Sequence, residues 1–164
     1  MILKTVLIEE AEAVRTTWNL DGIPPTPEEA ERQVERMHRN HLRNAEGDFC
    51  HLCLAMVLKE DGRWIGWCGL DNRGQAVLNP VIFYLLKRAF WSKGFATEAA
   101  RALIDFTFLR TSIPQIHGGC AFDNAASKRV MEKIGMKYQG LDQEGGHSFT
   151  LQKEDWKESA IKDP

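Results

Sequence analysis

Residues 83–100 read FYLLKRAFWSKGFATEAA, and this stretch decides the fold. It continues an apolar run, Val81-Ile82-Phe83-Tyr84-Leu85-Leu86, with no polar position. Such a run suits a strand in the middle of a sheet, covered on both faces. Lys87 to Lys93 has no clean period, and a helical period follows from Ala96 to Arg110. On that helix Glu98, Arg101 and Asp105 share a face where their charges can pair. Ala99, Ala100, Leu103, Ile104, Phe106 and Phe108 are its expected buried residues. Between strand and helix lies a short loop, Trp91-Ser92-Lys93-Gly94-Phe95. The first turn of a helix carries unpaired N–H groups and a partial positive charge. Gly94 lets an anion approach the backbone, and Lys93 adds a cation. The combination suits a pyrophosphate. It is neither GxxxxGKS/T nor GxGxxG, so the glycine alone fits an ordinary connection equally well.

Outward from this segment, the chain predicts a strand at Thr5–Ile8, a helix at Glu9–Trp18 and a loop at Asp21–Pro25. Thr26, Pro27 and Glu29 form a helix start with a capping box, and the helix runs to about Asn44. Ala30, Val34, Met37 and His41 recur along it at helical spacing. Three strands follow, Phe49–Leu58, Arg63–Leu70 and Ala76–Leu86, joined by turns at Glu60-Asp61-Gly62 and Asp71–Gly74. After the central helix come a strand at Ile116–Phe122 and a helix at Ala125–Ile134. Asp123 or Asn124 caps that helix and Gly135 closes it. Strands at Lys137–Leu141 and His147–Leu151 complete the pattern, and the last thirteen residues are expected at the surface. The order gives a mixed α/β fold around one sheet, in a single domain over residues 1–164.

Composition narrows the function. The 164 residues hold 21 Lys and Arg against 23 Asp and Glu, a formal charge of −2. That balance gives no general attraction to nucleic acid or anionic membrane. No apolar run approaches the roughly 20 residues of a membrane span, and a cytoplasmic protein is the default expectation. Cys50 and Cys53 have CxxC spacing, but on a strand residues three apart face opposite ways. Buried reduced thiols are the expected state, and no metal site is predicted.

The loop and helix start WSKGFATEAARALIDF resemble the acetyl-CoA loop of the GNAT N-acetyltransferases, in the branch containing RimJ and RimL. Trp91 stands where other members have Gln or Arg, Gly94 at the central glycine and Ala96 at the final small residue. A second block, DNAASKRVMEKIGMKYQG, is similar to the family's NxxSxxxxEKxGF, with Asn124, Ser127, Glu132, Lys133, Gly135 and Met136 at matching positions. RWIGWCGL and FTLQKEDW resemble two further strands of the branch.

The resemblance implies a GNAT-like fold: a mostly antiparallel sheet with two splayed parallel strands, flanked by about four helices. It implies acetyl-CoA as co-substrate, held in the splay. The backbones of Tyr84, Leu85 and Leu86 would pair with the pantetheine arm. Trp91, Ser92, Lys93, Gly94, Phe95, Ala96 and Thr97 would hold the pyrophosphate, and Asn124 would contact the cofactor arm. The implied reaction is direct acetyl transfer in a ternary complex to a primary amine, on a small molecule or a protein N-terminus. A homodimer is compatible with it. The loop from Asp21 to Thr26 and the next helix would wall the acceptor side, and the acidic turn Asp142-Gln143-Glu144 would favour a cationic acceptor unless it is merely solvated.

The catalytic set departs from the family pattern. Where many members have a Tyr acid there is Met131, and Ser127 is the implied substitute, with helix capping as its plainer role. The usual carboxylate positions hold Gly119 and Val81. His117 titrates in the right range to be the base, with Asp71 as an alternative. Cys120 as nucleophile would imply an acetyl-enzyme, against the family's direct transfer. These departures keep a second reading open, a non-catalytic acetyl-CoA-binding module.

Overall fold

The computed structural model describes residues 1–17, 24–45, 51–72 and 79–156. Its strands are β1 (Ile2–Lys4), β2 (His51–Val57), β3 (Trp64–Asp71), β4 (Val81–Leu86), β5 (Gln115–Cys120), β6 (Lys137–Leu141) and β7 (His147–Gln152). The helices are α1 (Ala11–Thr17), α2 (Pro27–Ala45), α3 (Phe95–Arg110) and α4 (Ala125–Lys133). All seven strands form one sheet in the order β1-β2-β3-β4-β5-β7-β6. Only the β4–β5 neighbours are parallel; the other described pairs are antiparallel.

Side-chain alternation divides the sheet between two cores. Cys53, Ala55, Val57 and Trp67 face Val14 of α1 and Ala30, Val34 and Met37 of α2. Cys68, Leu70, Ile82, Leu86, Ile116, Phe149 and Leu151 face the opposite way, against Ala99, Ala100, Leu103 and Phe108 of α3 and Met131 of α4. The helix starts follow from local chemistry. Thr26 N–H donates to Glu29 Oε2 at 2.8 Å and Glu29 N–H to Thr26 Oγ1 at 3.2 Å, a reciprocal capping box. Asn124 Oδ1 accepts the Ser127 N–H at 3.0 Å and so caps α4.

Several expectations shift. The first strand lies at Ile2–Lys4, where it pairs with Ala55–Val57, not at Thr5–Ile8. Val6 there turns into the α1–α2 core, and Ile8–Glu10 is a 3-10 turn. Ala76–Leu86 contributes strand only from Val81, and Ile116–Phe122 ends at Cys120, with residues 73–78 outside the described set. Residues 18–23, 46–50 and 157–164, which include Trp18, the start of the Asp21–Thr26 loop, Phe49 and Cys50, also lie outside it. The charges on α3 do not pair with one another. Glu98 takes the Met1 ammonium, Arg101 donates to the Lys133 carbonyl and Asp105 accepts from the Trp156 indole. Phe106 is 55% exposed, because its place on α3 falls outside the stripe that meets the sheet. Trp156 is packed against Phe108 at 5.5 Å rather than lying free on the surface. Asp142 accepts the N–H groups of Glu144 and Gly146, so its carboxylate closes the turn between β6 and β7.

Gly66 marks a place where the sheet tolerates no side chain. A Cβ there would sit 2.0 Å from the Leu85 carbonyl oxygen and 2.9 Å from Leu86 Cα, both backbone atoms. Gly66→Ala is expected to destabilise by about 3 kcal/mol, roughly 6–12 °C in Tm for a chain of this size. Thermal unfolding followed by circular dichroism checks it; an unchanged Tm would mean that β3 and β4 are further apart than described.

Candidate active site

β4 and β5 meet at a single register point. Val81 stands opposite His117, and the His117 N–H donates to the Pro80 carbonyl at 2.9 Å. Beyond that point the strands run in parallel directions without further described pairing, so a gap opens toward Leu86 and Cys120. Backbone parity decides which groups of β4 line the gap. Lys87 N–H bonds to Ile65 of β3, and the Pro80 carbonyl bonds to β5. Odd-numbered positions therefore turn their N–H and C=O toward β3, and even-numbered ones toward β5. Tyr84 and Leu86 offer their backbones to the gap, whereas the Ile82 N–H lies at the paired register point with β5. Leu85 does not: its backbone faces β3, opposite Trp67. What Leu85 contributes is a side chain 43% exposed, at the end of β4 expected to be covered on both faces.

The loop after β4 is a backbone cradle. Arg88–Phe90 forms a 3-10 turn, and the Trp91 indole N–H returns to the Leu86 carbonyl at 2.8 Å. That bond fixes the loop's exit from β4 and occupies one side of a carbonyl expected to face pantetheine. Ser92 has φ +59° and Gly94 φ +84°, so two left-handed residues turn the chain into α3. Left-handed residues alternating with ordinary ones aim successive N–H groups into one concavity. Gly94 is the N-cap of α3 with no side-chain cap, and Phe95, Ala96 and Thr97 form the first turn with its unpaired N–H groups. A Cβ at Gly94 would meet nothing within 4 Å, so the cradle is open to an incoming group. Lys93 lies over the Phe90 ring at 5.5 Å and Arg88 over Trp91 at 5.6 Å, which places cations around the cradle.

Across the gap, Tyr84, Cys120, Asn124 and Ser127 converge. The Tyr84 hydroxyl lies 2.8 Å from Ser127 Oγ and 3.2 Å from the Ser127 carbonyl oxygen. Cys120 Sγ reaches the Asn124 carbonyl at 3.8 Å. Burial pushes the Tyr84 phenol up to about 12, against an opposing pull from the Ser127 hydroxyl. Burial also raises the Cys120 thiol, which disfavours a thiolate nucleophile there. Ser127 is therefore not the helix cap; Asn124 is. The Tyr84 contact was not read from the sequence. Its signal was parity, since Tyr84 shares the face of Ile82 and Leu86.

His117 lies on the other face. A Cβ on Gly118 would meet Met131 Sδ of α4 at 2.6 Å, so Gly118 faces α4 and its neighbour His117 faces the α1–α2 side. Ser127 and His117 thus flank the gap from opposite sides rather than sharing one pocket. His117 Nε2 is buried with no hydrogen-bond partner among the described residues. Burial alone lowers its pKa from the usual 6.5. The sheet register sets it in a lateral row: His51 opposite Asp71, Asp71 opposite Val81, Val81 opposite His117. His51 Nδ1 stands 3.6 Å from Asp71 Oδ1, and its ring stacks on Phe83 at 5.7 Å. Asp71 and His117 therefore sit on either side of Val81, on one face.

Residues 3–137 match the model of the acetyltransferase (GNAT) domain. The chain belongs to the GNAT acetyltransferase family. Among its relatives, YkkB of Bacillus subtilis is 34% identical over 110 residues, covering 65% of this chain and 62% of that one. The chain matches about half to three-fifths of the length of its curated relatives. Solved structures agree on the GNAT fold. A ribosomal-protein-S5-alanine acetyltransferase from Vibrio fischeri superposes with TM-score 0.80 at 16% identity, over 94% of this chain and 93% of that one. RimL, a ribosomal α-N-protein acetyltransferase in complex with coenzyme A, gives TM-score 0.75 at 15% identity, over 92% of each chain. A chimera of the spermidine N-acetyltransferase SpeG from Vibrio cholerae and hSSAT gives TM-score 0.72 at 15% identity, over 94% of this chain and 96% of that one.

Proposed function

We propose that this GNAT domain transfers the acetyl group of acetyl-CoA directly to a primary amine. The observation that carries the reading is the gap between β4 and β5, with an anion cradle at its mouth and hydroxyl and imidazole groups on opposite sides. The bound co-substrate supplies an activated acetyl thioester. The chain's own groups do the rest. The N–H groups of Ser92–Thr97 hold the pyrophosphate, with Lys93 nearby. The Tyr84 and Leu86 backbones align the pantetheine arm along β4, and the Asn124 amide nitrogen faces its other side. A β4 N–H directed into the gap stabilises charge on the thioester oxygen.

Two protons must leave the ammonium form of the acceptor. His117 takes one, directly or through water, from the α1–α2 face. Asp71, on the far side of Val81, attracts the cationic amine to the same row. Ser127 donates a proton to the departing sulfur from the α4 face. The neighbours named above act on protein amines and on spermidine, and both classes present a primary ammonium. The single test is calorimetric titration with acetyl-CoA, then thiol release with N-terminal peptides and polyamines. Binding with turnover supports the transferase. Binding without turnover on any amine favours the acetyl-CoA-binding module, a reading that the buried Met131 in place of a Tyr acid keeps in view.

The base has a pH signature. A general base works only when neutral, and burial holds His117 below 6.5. kcat/KM should therefore be flat at neutral pH and fall on acidification through a value under 6.5. His117→Gln should remove that acid limb and lower kcat/KM by about 10²-fold or more. An acid limb that survives the substitution assigns the base elsewhere.

A further inference from the structure

Tyr84 carries a half-buried phenol that backbone alignment of the cofactor does not use. Its hydroxyl crosses from β4 to α4 and ends 2.8 Å from Ser127 Oγ, 43 residues away in sequence. Deepening the transferase reading, on which it rests, we propose that the Tyr84 phenol orients the Ser127 hydroxyl toward the leaving sulfur and restores its proton.

The argument is one of hydrogen inventory. A phenol has one hydrogen, and so has a serine hydroxyl. The phenol hydrogen has two acceptors within reach, Ser127 Oγ at 2.8 Å and the Ser127 carbonyl at 3.2 Å. In the proposed arrangement it takes the shorter contact to Oγ, which leaves the Ser127 hydrogen free for the gap. A sulfur atom, Cys120 Sγ, already lies near this first turn of α4, 3.8 Å from the Asn124 carbonyl. The Ser127 hydroxyl acts on Cys120 in the sense that stabilises a thiolate. The same hydroxyl can therefore serve the thiolate of departing coenzyme A. The step balances. The amine nitrogen bonds to the acetyl carbon and the C–S bond breaks. The sulfur takes the Ser127 proton, Ser127 takes the Tyr84 proton, and solvent returns a proton to Tyr84 from those shed by the ammonium. The net change is ammonium plus acetyl-CoA to amide, CoA thiol and one proton.

A phenol is protonated at neutral pH, and burial moves the Tyr84 titration further up. Cys120 from β5 and Cys68 from β3 are the titratable groups that raise it, Ser127 opposes them from α4, and Lys128 of α4 acts on Cys120. Tyr84 is in this sense a positioning residue, since only Ser127 meets the sulfur.

The chain has two tyrosines, Tyr84 and Tyr138, which makes a clean test practical. Tyr84→Phe keeps the ring and deletes the hydroxyl. It should lower kcat about 10²-fold, with KM for acetyl-CoA unchanged and Tm lowered only by the loss of one hydrogen bond, roughly 2–4 °C. A second enzyme carries fluorinated tyrosine throughout, on a Tyr138→Phe background. Tyr138 is half-exposed on β6 and serves as the control position. Fluorine acidifies the phenol, so the donor is lost at lower pH. kcat of the fluorinated enzyme should fall as pH rises through the alkaline range where the unfluorinated Tyr138→Phe enzyme stays flat. A purely structural tie between β4 and α4 would not produce that limb. If Tyr84→Phe retains full kcat, or fluorination leaves the basic side unmoved, the proposal is overturned while the transferase reading stands. If the unmodified enzyme releases no thiol with any amine, both are overturned.

Discussion

Gly94→Glu is expected to abolish acetyl-CoA binding. Gly94 sits at φ +84° as the N-cap of α3, with open space where a Cβ would point. Within the chain the new side chain meets no obstacle; what it opposes is the bound anion, by charge and by occupying its space, and its own backbone conformation. A carboxylate about 4 Å from a bound phosphate repels it by about 4 kcal/mol at an intermediate dielectric, a loss of about 10³-fold in affinity. The left-handed backbone adds strain of about 1–3 kcal/mol for any L side chain. Gly94→Ala separates the two effects, since it carries the strain without the charge. Calorimetry should show weakened binding for the alanine and none for the glutamate. Undiminished affinity in Gly94→Glu would remove the Ser92–Thr97 loop from the cofactor site, and the functional reading with it.

The second large effect belongs to Ser127. Ser127→Ala should lower kcat by about 10²–10⁴-fold, the range of a lost proton donor. Acetyl-CoA affinity should hold, because the loop and the β4 backbone are untouched. Stability should hold as well. The alanine keeps the N–H that Asn124 caps at 3.0 Å and the carbonyl that Tyr84 reaches at 3.2 Å. A Tm that falls together with kcat would make Ser127 a structural tie instead. Stopped assays of thiol release beside thermal unfolding decide between them. The double change Ser127→Ala with Tyr84→Phe should cost little more than Ser127→Ala alone, since residues that act as a unit are not additive.

Much of the fold was legible because its signals are local. Thr26 and Glu29 announce a capping box within one turn. Asn124 caps α4 three residues before the N–H it accepts, and Gly135 takes the left-handed conformation after the helix. The central strand and the helix after Gly94 were legible from an apolar run and a change of period. The failures share a cause. Thr5–Ile8 has the apolar content of a strand, yet pairing with β2 falls on Ile2–Lys4. Phe106 and Trp156 were misplaced because burial there depends on where α3 docks, not on residue type.

The sequence by itself determined the order of most elements, the glycine-bearing loop before α3 and the family, through motifs that each lie within a few neighbouring residues. Only the tertiary structure decided which backbone groups of β4 face the gap, that Leu85 turns away, and that His117 and Ser127 stand on opposite faces of the sheet. It alone brought Tyr84 to Ser127 and set Asp71 and His117 beside Val81. The physical reason is range. Capping, turns and periodicity are fixed by covalent geometry over a few residues, whereas strand register and the meeting of distant hydroxyls are fixed by how whole elements pack.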